Sequence, residues 1–479
     1  MSLYKAIITH LPEVRGPTQK RLSFKEKLKW TLIILVLFFV LGTISLFGLD
    51  PAYQFRFEQL GIILGASFGT ITSLGIGPIV TASIVLQLLN GSGIIKFDLT
   101  TAEGKKMFQG TQKLLAIFFV VFEACVYVFM GGFSPNPAIA GASFFSLQLV
   151  LIGQLFLGGM IILFMDEVVQ KWGFGSGISL FIVANVAQEI LIQSFSPLDS
   201  GGNFAFGSGQ PPVGKVFALF VHLARNQGDA ALLAGSALVF TVVVFIMAVY
   251  FQSMKVEIPL SFGRVRGYGM RWPLRFMYTS NIPVILVAAL LANIQLWGQL
   301  MENWAVNSGN AVVNWISVYI VGQVSTPAAG HGIIPYAHAP SLIQNLLAGN
   351  FAFAQLKFAL GYIILMVIGA IIFSYFWMQT SGQDAHSVSK QIMSSGLQIP
   401  GFRKDIRILE RILNRYITPL TIMGGLAVGI LAAVADLTGA LSRGTGILLA
   451  VMIIYQLYEE IARHHMMDMH PAMRKFMER

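Results

Sequence analysis

The chain has 479 residues, of which 55% are hydrophobic and 11% charged, with a mean hydropathy of +0.70. Soluble domains carry about 25% charged residues, so this composition excludes a soluble protein and describes one that crosses a membrane many times. A single cysteine, Cys125, excludes an internal disulfide or a cysteine-based metal cluster, and the net charge of +10 is informative through where the charges sit.

Residues 1–29 are polar and basic, with Lys20, Arg21, Lys25, Lys27 and Lys29 nearest the membrane. No small-residue cleavage site marks a signal peptide, and residues 22–28 predict a short interfacial helix. The first span is read at 30–49. The next stretch, 57–89, is long and apolar but is interrupted by Gly61, Gly65, Gly69, Gly75 and Gly77. Pro78 also lacks the N–H that an unbroken helix would use. Two short helices with a break near 75–78 are expected; a single glycine-kinked span is the alternative. The second piece, 78–90, opens on a proline at a tolerated first-turn position. At about 1.5 Å per residue it is roughly 20 Å long, short of a ~30 Å hydrocarbon core. Broken backbone at membrane depth is tolerated only inside protein or beside a water-filled cavity, so an internal cavity or pore is predicted. Further spans are read at 108–130, 147–165, 177–192, 231–251, 281–300, 356–377, 416–434 and 446–458. A polar loop at 196–230 separates five spans from five, and a nearly uncharged loop, 302–354, receives no role. The result is an all-α polytopic membrane protein of ten spans.

Ten crossings put both termini on one side. That side holds 27 of the 32 Lys and Arg residues, and the other side holds 5: Arg56, Lys215, Arg225, Lys357 and Arg443. The basic side is therefore read as cytoplasmic. Two of its loops carry more charge than topology requires. One, 255–275, has Arg264, Arg266, Arg271 and Arg275; the other, 390–415, has Arg403, Lys404, Arg407, Arg411 and Arg415. Pro259, Gly263, Gly267 and Gly269 in the first, and Pro400-Gly401 in the second, predict ordered protruding turns. Exposed arginines suit a phosphate backbone or an acidic partner.

Ionisable groups within spans are few. Glu123, mid-span, is a functional candidate facing protein or water, or a carboxylate hydrogen-bonded to a neighbouring helix; Glu189, near a boundary, fits the second description. Neither forms the paired relay of a proton-coupled carrier. Neither His-Glu-x-x-His nor a phosphate-binding Gly-x-x-x-x-Gly-Lys occurs. Gly65-Ala66-Ser67-Phe68-Gly69 fits Gly-x-Ser-x-Gly only formally; the spacing of Gly61, Gly65 and Gly69 instead lines one helix face for close packing. His464, His465 and His470 have no acidic partners at metal spacing, so no metal, cofactor or catalysis is expected. Four glycine- or proline-flanked helix starts present Ile76 and Val80, Ile178 and Ile182, Ile285, and Leu449, which spacing alone reads as ordinary core. On these residues a channel and a small-solute transporter stay equally open, while an intramembrane hydrolase lacks a Ser–His or Asp–Asp pair.

Five motifs carry a family resemblance: LGIGPIVTASIVLQLL (74–89), FQGTQKLLAI (108–117), GFGSGISLFI (173–182), YTSNIPVIL (278–286) and GTGILLAVMIIYQ (444–456). The chain resembles the SecY family, the α-subunit of the Sec protein translocation channel, in its archaeal form. The resemblance implies two pseudo-symmetric five-helix halves, 30–195 and 231–463, hinged through the external loop 196–230 and closing as a clamshell around a central pore. It implies cytoplasmic loops at 252–279 and 379–415 and a cytoplasmic tail at 464–479. By motif position, Ile76, Val80, Ile178, Ile182, Ile285 and Leu449 become the pore ring, and 57–73, with Gly61, Gly65 and Gly69, becomes the plug. Thr81, Gln87, Glu123 and Asn281 become the lateral gate, between spans two and three on one side and seven and eight on the other; most members place Gln where this chain has Glu123. Arg264, Arg266, Arg403 and Lys404 fall where the family meets the ribosome or a cytosolic motor. The implied partners are SecE/gamma-type and beta-type single-span subunits, signal sequences, nascent polypeptides and the lipid bilayer. The implied location is the plasma membrane, with both termini cytoplasmic.

Overall fold

The structure is a computed structural model. It describes residues 8, 10–19, 22–50, 67–91, 93–95, 97, 101–140, 144–199, 203–205, 210–262, 269–277, 279, 282–308, 311–322, 332–349, 351–394, 397–398 and 405–469. Ten long helices organise the described residues: α1 (Phe24–Leu41), α2 (Gly77–Gly91), α3 (Ala102–Phe129), α4 (Phe144–Trp172), α5 (Gly177–Phe195), α6 (Gly228–Ser253), α7 (Ile282–Ser308), α8 (Phe353–Thr380), α9 (Ile406–Leu437) and α10 (Gly444–Met469). Eight of the described helices are long and apolar enough to cross a membrane. The 18-residue α1 and the 15-residue α2 complete the set of ten.

Local chemistry moves several expected boundaries. Ser23 caps α1 by accepting the Glu26 N–H, and Gly42 ends it. The interfacial helix expected at 22–28 is thus the start of α1 itself, and the span stops at Leu41 rather than at 49. Asp405 caps α9 through the Arg407 N–H. Arg407, Arg411 and Arg415 therefore lie on the extended first turns of a helix, not in a loop.

The basic loops supply the departure from an all-helical chain. Strand β1 (Lys255–Phe262) follows α6 directly and pairs antiparallel with β2 (Gly269–Arg275), from Lys255 opposite Arg275 to Ser261 opposite Gly269. Two residues of the other basic loop, β3 (Leu397–Gln398), pair with Phe262 and Ser261 on the far edge of β1. Pro259 thus sits inside β1, opposite Arg271 of β2. Beneath the sheet, Leu274 packs with Val388 and Ile392 of a short helix (Ala385–Ser394) and with Leu409, Leu413 and Ile417 of α9. The two loops, expected as separate turns, share one sheet and one apolar core.

Helix α10 touches both halves at both of its ends. At the basic end Glu459 pairs with Arg275 of β2. Its neighbour Glu460 accepts the Gly175 N–H at 3.3 Å, and His464 Nε2 lies 3.2 Å from Lys27 Nζ of α1. At the other end, the Ser442 N–H donates to Gln193 of α5 at 3.1 Å and the Leu441 N–H to Thr241 of α6 at 3.0 Å. Asp436 accepts from the Tyr362 hydroxyl of α8 at 2.6 Å and from the Thr445 N–H at 2.6 Å. Ser442 and Arg443 adopt φ of +55° and +53°, a region costly for side chains with a β-carbon; the surrounding bonds hold the turn there.

The N-terminal segment is strapped across the basic ends of α3 and α4. Lys171 Nζ lies 2.5 Å from Glu13, and the Val14 N–H donates to Glu167 at 3.0 Å. Trp172 Nε1 donates to the Arg15 carbonyl at 2.9 Å, and Lys113 pairs with Glu167. The Lys171 hydrogen bond holds the Glu13 carboxyl below its ordinary value of 4.5. A depressed carboxylate stabilises the folded form above that ordinary value, and the contribution is lost as pH falls through the lower folded value. A spin label at position 10 should accordingly keep its restricted mobility from pH 7 to about 5 and loosen only below the ordinary carboxylate range. Glu13→Gln should show the loosened spectrum already at pH 7.

Candidate functional site

Five aliphatic side chains from four helices, and one from the turn before α2, belong to or pack on one apolar core. Ile76 precedes α2 and Val80 lies one turn into it; Ile178 and Ile182 come from α5, Ile285 from α7 and Leu449 from α10. Five are buried in one cluster, with exposures from 0% to 6%, and Ile178 packs against that cluster half-buried. The α5 residues are set by the turn before them. Asp166 of α4 accepts the Ile178 N–H at 3.1 Å and is itself held by Gln170 at 2.7 Å. Gly177 leaves no room for a β-carbon against Asp166. On the basic side, Val80, Ile178 and Ile285 line an open cleft of about 470 Å³ between α2, α3, α4 and α5 on one hand and α7 and α8 on the other.

A polar cluster joins α2, α3 and α7 beside the ring. Asn293 Nδ2 donates to Thr81 Oγ1 at 3.0 Å, and that hydroxyl stands 3.2 Å from Glu123 Oε1 and 2.8 Å from the Gly77 carbonyl. Its one proton serves either acceptor, since a threonine hydroxyl donates once. Glu123 is 3% exposed, an environment in which a carboxylate needs such partners. Asn281 lies outside the described residues; among those described, Asn293, in the middle of α7, is an asparagine that reaches Thr81. The signal for it was present in the sequence: an amide inside the apolar run IPVILVAALLANIQLWG. Gln87, two turns beyond Thr81, donates through Nε2 to Ser83 Oγ at 3.0 Å. Farther along the same seam, Phe122 of α3 meets Trp297 of α7 edge to face at 6.4 Å. Gly91 of α2 lies so close to Phe376 of α8 that a β-carbon would clash with the ring. The structure therefore brings α2 and α3 against α7 and α8, where the side opening is expected.

The stretch before α2 departs from expectation. Residues 68–76 are consecutive turns rather than helix. Gly61 and Gly65 lie outside the described residues, while Gly69 has φ +83° and Gly75 φ +54°, so Gly69 does not sit on a helical face. Hydroxyls satisfy the irregular backbone: Thr70 Oγ1 donates to the Ser67 carbonyl at 2.6 Å, Ser73 Oγ to the Thr70 carbonyl at 2.5 Å, and the Thr72 N–H to Thr70 Oγ1 at 3.2 Å. The Ile71 N–H reaches the Ile44 carbonyl at 3.0 Å and the Leu46 N–H the Gly69 carbonyl at 2.9 Å. Gly158 of α4 packs directly on the Ile71 carbonyl. Of the residues expected at the basic surface, Arg264, Arg266, Arg403 and Lys404 lie outside the described residues; the β1–β3 pairing joins the loops that carry them.

The sequence model of the SecY family matches residues 70–458. A protein translocase subunit SecY from Methanothermobacter thermautotrophicus is 42% identical over 480 residues, covering 99% of this chain and 98% of that protein. A solved SecY structure, described for a plug domain that stabilises the closed state of the translocation channel and maintains a membrane seal, is 38% identical. It aligns with a TM-score of 0.77 over 97% of this chain and 98% of its own. Sec61 in a canine ribosome–channel complex from the endoplasmic reticulum is 37% identical, with a TM-score of 0.74 and coverage of 97% and 98%.

The contact between Gly158 and Ile71 gives a direct test of how firmly the turn segment is held. Gly158→Ala inserts a methyl group against a backbone carbonyl and should destabilise the detergent-solubilised protein by about 1–3 kcal/mol. Thermal unfolding should report this as a lower Tm, whereas Gly153→Ala, with open space at the β-carbon, should leave Tm unchanged.

Proposed function

The chain belongs to the SecY family of protein translocase subunits, and from that premise we propose that it is the central pore-forming subunit of a protein-conducting channel. Unfolded polypeptides pass through the middle, and signal sequences and transmembrane segments leave sideways into lipid. One observation supports this reading: aliphatic side chains from both halves share one apolar core beside a seam in which α2 and α3 face α7 and α8. Such a ring seals by close packing and dewetting, yet offers a moving chain no fixed hydrogen bond. A solute carrier needs convergent polar groups at the same place, and here the convergent groups are Ile76, Val80, Ile182, Ile285 and Leu449.

The channel is passive, with the driving energy supplied by a partner and no catalytic step in this chain. Residues 57–73 act as the plug, and the turn hydrogen bonds at 67–73 anchor its C-terminal end to the chain at Ile44 and Leu46. Thr81, Glu123 and Asn293 are the polar closure of the side exit, with Gln87 on its wall and Asn281 at the start of α7. The basic end is cytoplasmic by the positive-inside rule, which puts both termini in the cytoplasm of a multi-pass plasma-membrane protein. Arg264, Arg266, Arg403 and Lys404 meet a ribosome or a cytosolic motor there; the similarity to Sec61 in a ribosome–channel complex supports that role. SecE/gamma-type and beta-type single-span subunits complete the assembly.

Substituting Asn or Ser for Ile76, Val80 or Ile285 should raise the resting ion conductance of channels in planar bilayers several-fold; conductance equal to the parent's would remove the ring. Reversing charge at Arg266 and Arg403 should weaken ribosome binding to vesicles and flatten its salt dependence. Every phosphate that the loops no longer neutralise lowers the slope of log affinity against log salt by about 0.7–0.9. An unaltered slope would exclude these loops as the docking surface.

A further inference from the structure

The cleft beside the ring carries a more specific assignment, which rests on the channel role proposed above. It opens between the two halves and holds about 470 Å³. Its described lining has no carboxylate and one cation, Lys105; four side-chain amides, from Gln87, Gln109, Gln112 and Gln170, face it from the N-terminal half. A charged lining would select passengers by composition, whereas an array of neutral amides matches the one group that every polypeptide repeats. Each glutamine side chain offers the donor and acceptor of a peptide unit.

Gln87 is the distinctive member. It is 2% exposed, its Nε2 is engaged by Ser83, and its Oε1 is buried with no hydrogen-bond partner among the described residues. A buried acceptor left open is costly, so a donor that enters the cleft gains more there than it would at an exposed amide. An extended polypeptide carries unpaired main-chain N–H groups into the cleft and must part with their water before the apolar ring. We propose that the cleft is a binding site for peptide groups, in which Gln87 Oε1 accepts a main-chain N–H from an extended segment immediately before the ring. The hold is independent of sequence and consists of one neutral hydrogen bond, strong enough to align the segment and weak enough to release it.

A backbone scan tests this. Fluorescent signal peptides N-methylated at successive positions would be titrated against lipid vesicles that carry the full chain with its partner subunits. One methylation position should weaken binding to the parent channel about tenfold, the scale of a single buried hydrogen bond. Gln87→Met should weaken the unmodified peptide by a similar factor, and the two effects should not multiply: the variant should be blind to that methyl group. Gln87→Glu, which keeps an acceptor oxygen, should retain the sensitivity and also shows that changes at this position are tolerated by the fold. Effects that multiply, or a scan that singles out no position, would mean that the Gln87 oxygen serves water alone and would overturn the site while leaving the channel intact. A parent channel that neither binds these peptides nor transports a precursor would overturn both the site and the channel reading.

Discussion

Every backbone N–H and C=O at membrane depth has to find a partner inside the protein, and in this chain that demand is concentrated on the turns between Ser67 and Ile76. A helix would satisfy it automatically. Here the hydroxyls of Thr70 and Ser73 do so, the former also accepting the Thr72 N–H; Ile44 and Leu46 do so with backbone, and Gly158 allows α4 to lie against the result. Because these bonds fix the segment, α2 can start late. It is then 15 residues long, about 22 Å by helical rise, and too short to cross alone. The shortfall keeps α2 inside the protein, where one face joins the ring and another joins the polar cluster with Glu123 and Asn293.

The ring and the cluster divide the closure of the bundle between two kinds of force. Burial of Ile76, Val80, Ile182, Ile285 and Leu449 is non-directional, so it tolerates the small rotations of a moving helix. The Asn293–Thr81–Glu123 contacts are directional, so they hold one relative position of α2, α3 and α7 and no other. Gly91 against Phe376 adds a steric contact farther along the seam. Together they make this packing of α2, α3, α7 and α8 specific.

Much of this was legible in the sequence because glycine, proline and hydropathy act locally. The late start of α2 at Gly77-Pro78, the ten-span count and the charge asymmetry follow from single residues and their neighbours. The aliphatic ring was legible only through motif resemblance, since Ile178 or Leu449 in isolation is indistinguishable from core. What escaped was long-range. Asn281 at a helix start and Asn293 twelve positions on are equally plausible partners for Thr81 until the rotation of α7 is fixed. The sheet needs residues 262 and 397 to meet, and no local pattern announces that pairing. The stripe of Gly61, Gly65 and Gly69 predicted a helix, but Gly69 is used for positive φ instead, while the positive φ of Gly75 falls in the expected break; hydroxyl-rich turns compete with helix wherever Ser and Thr cluster.

Helix α10 belongs by chain order to the second half, yet adjacent carboxylates on it serve opposite sides: Glu459 holds Arg275 of the sheet, and Glu460 holds the Gly175 amide that precedes α5. With Ser442 bonded to Gln193 at the far end, α10 lies where a book has its spine, bonded to both covers. The 196–230 connection adds to that binding, because its helix at Lys215–Ala224 packs on both α5 and α6; the two covers are stitched along the spine by contacts as well as by the chain.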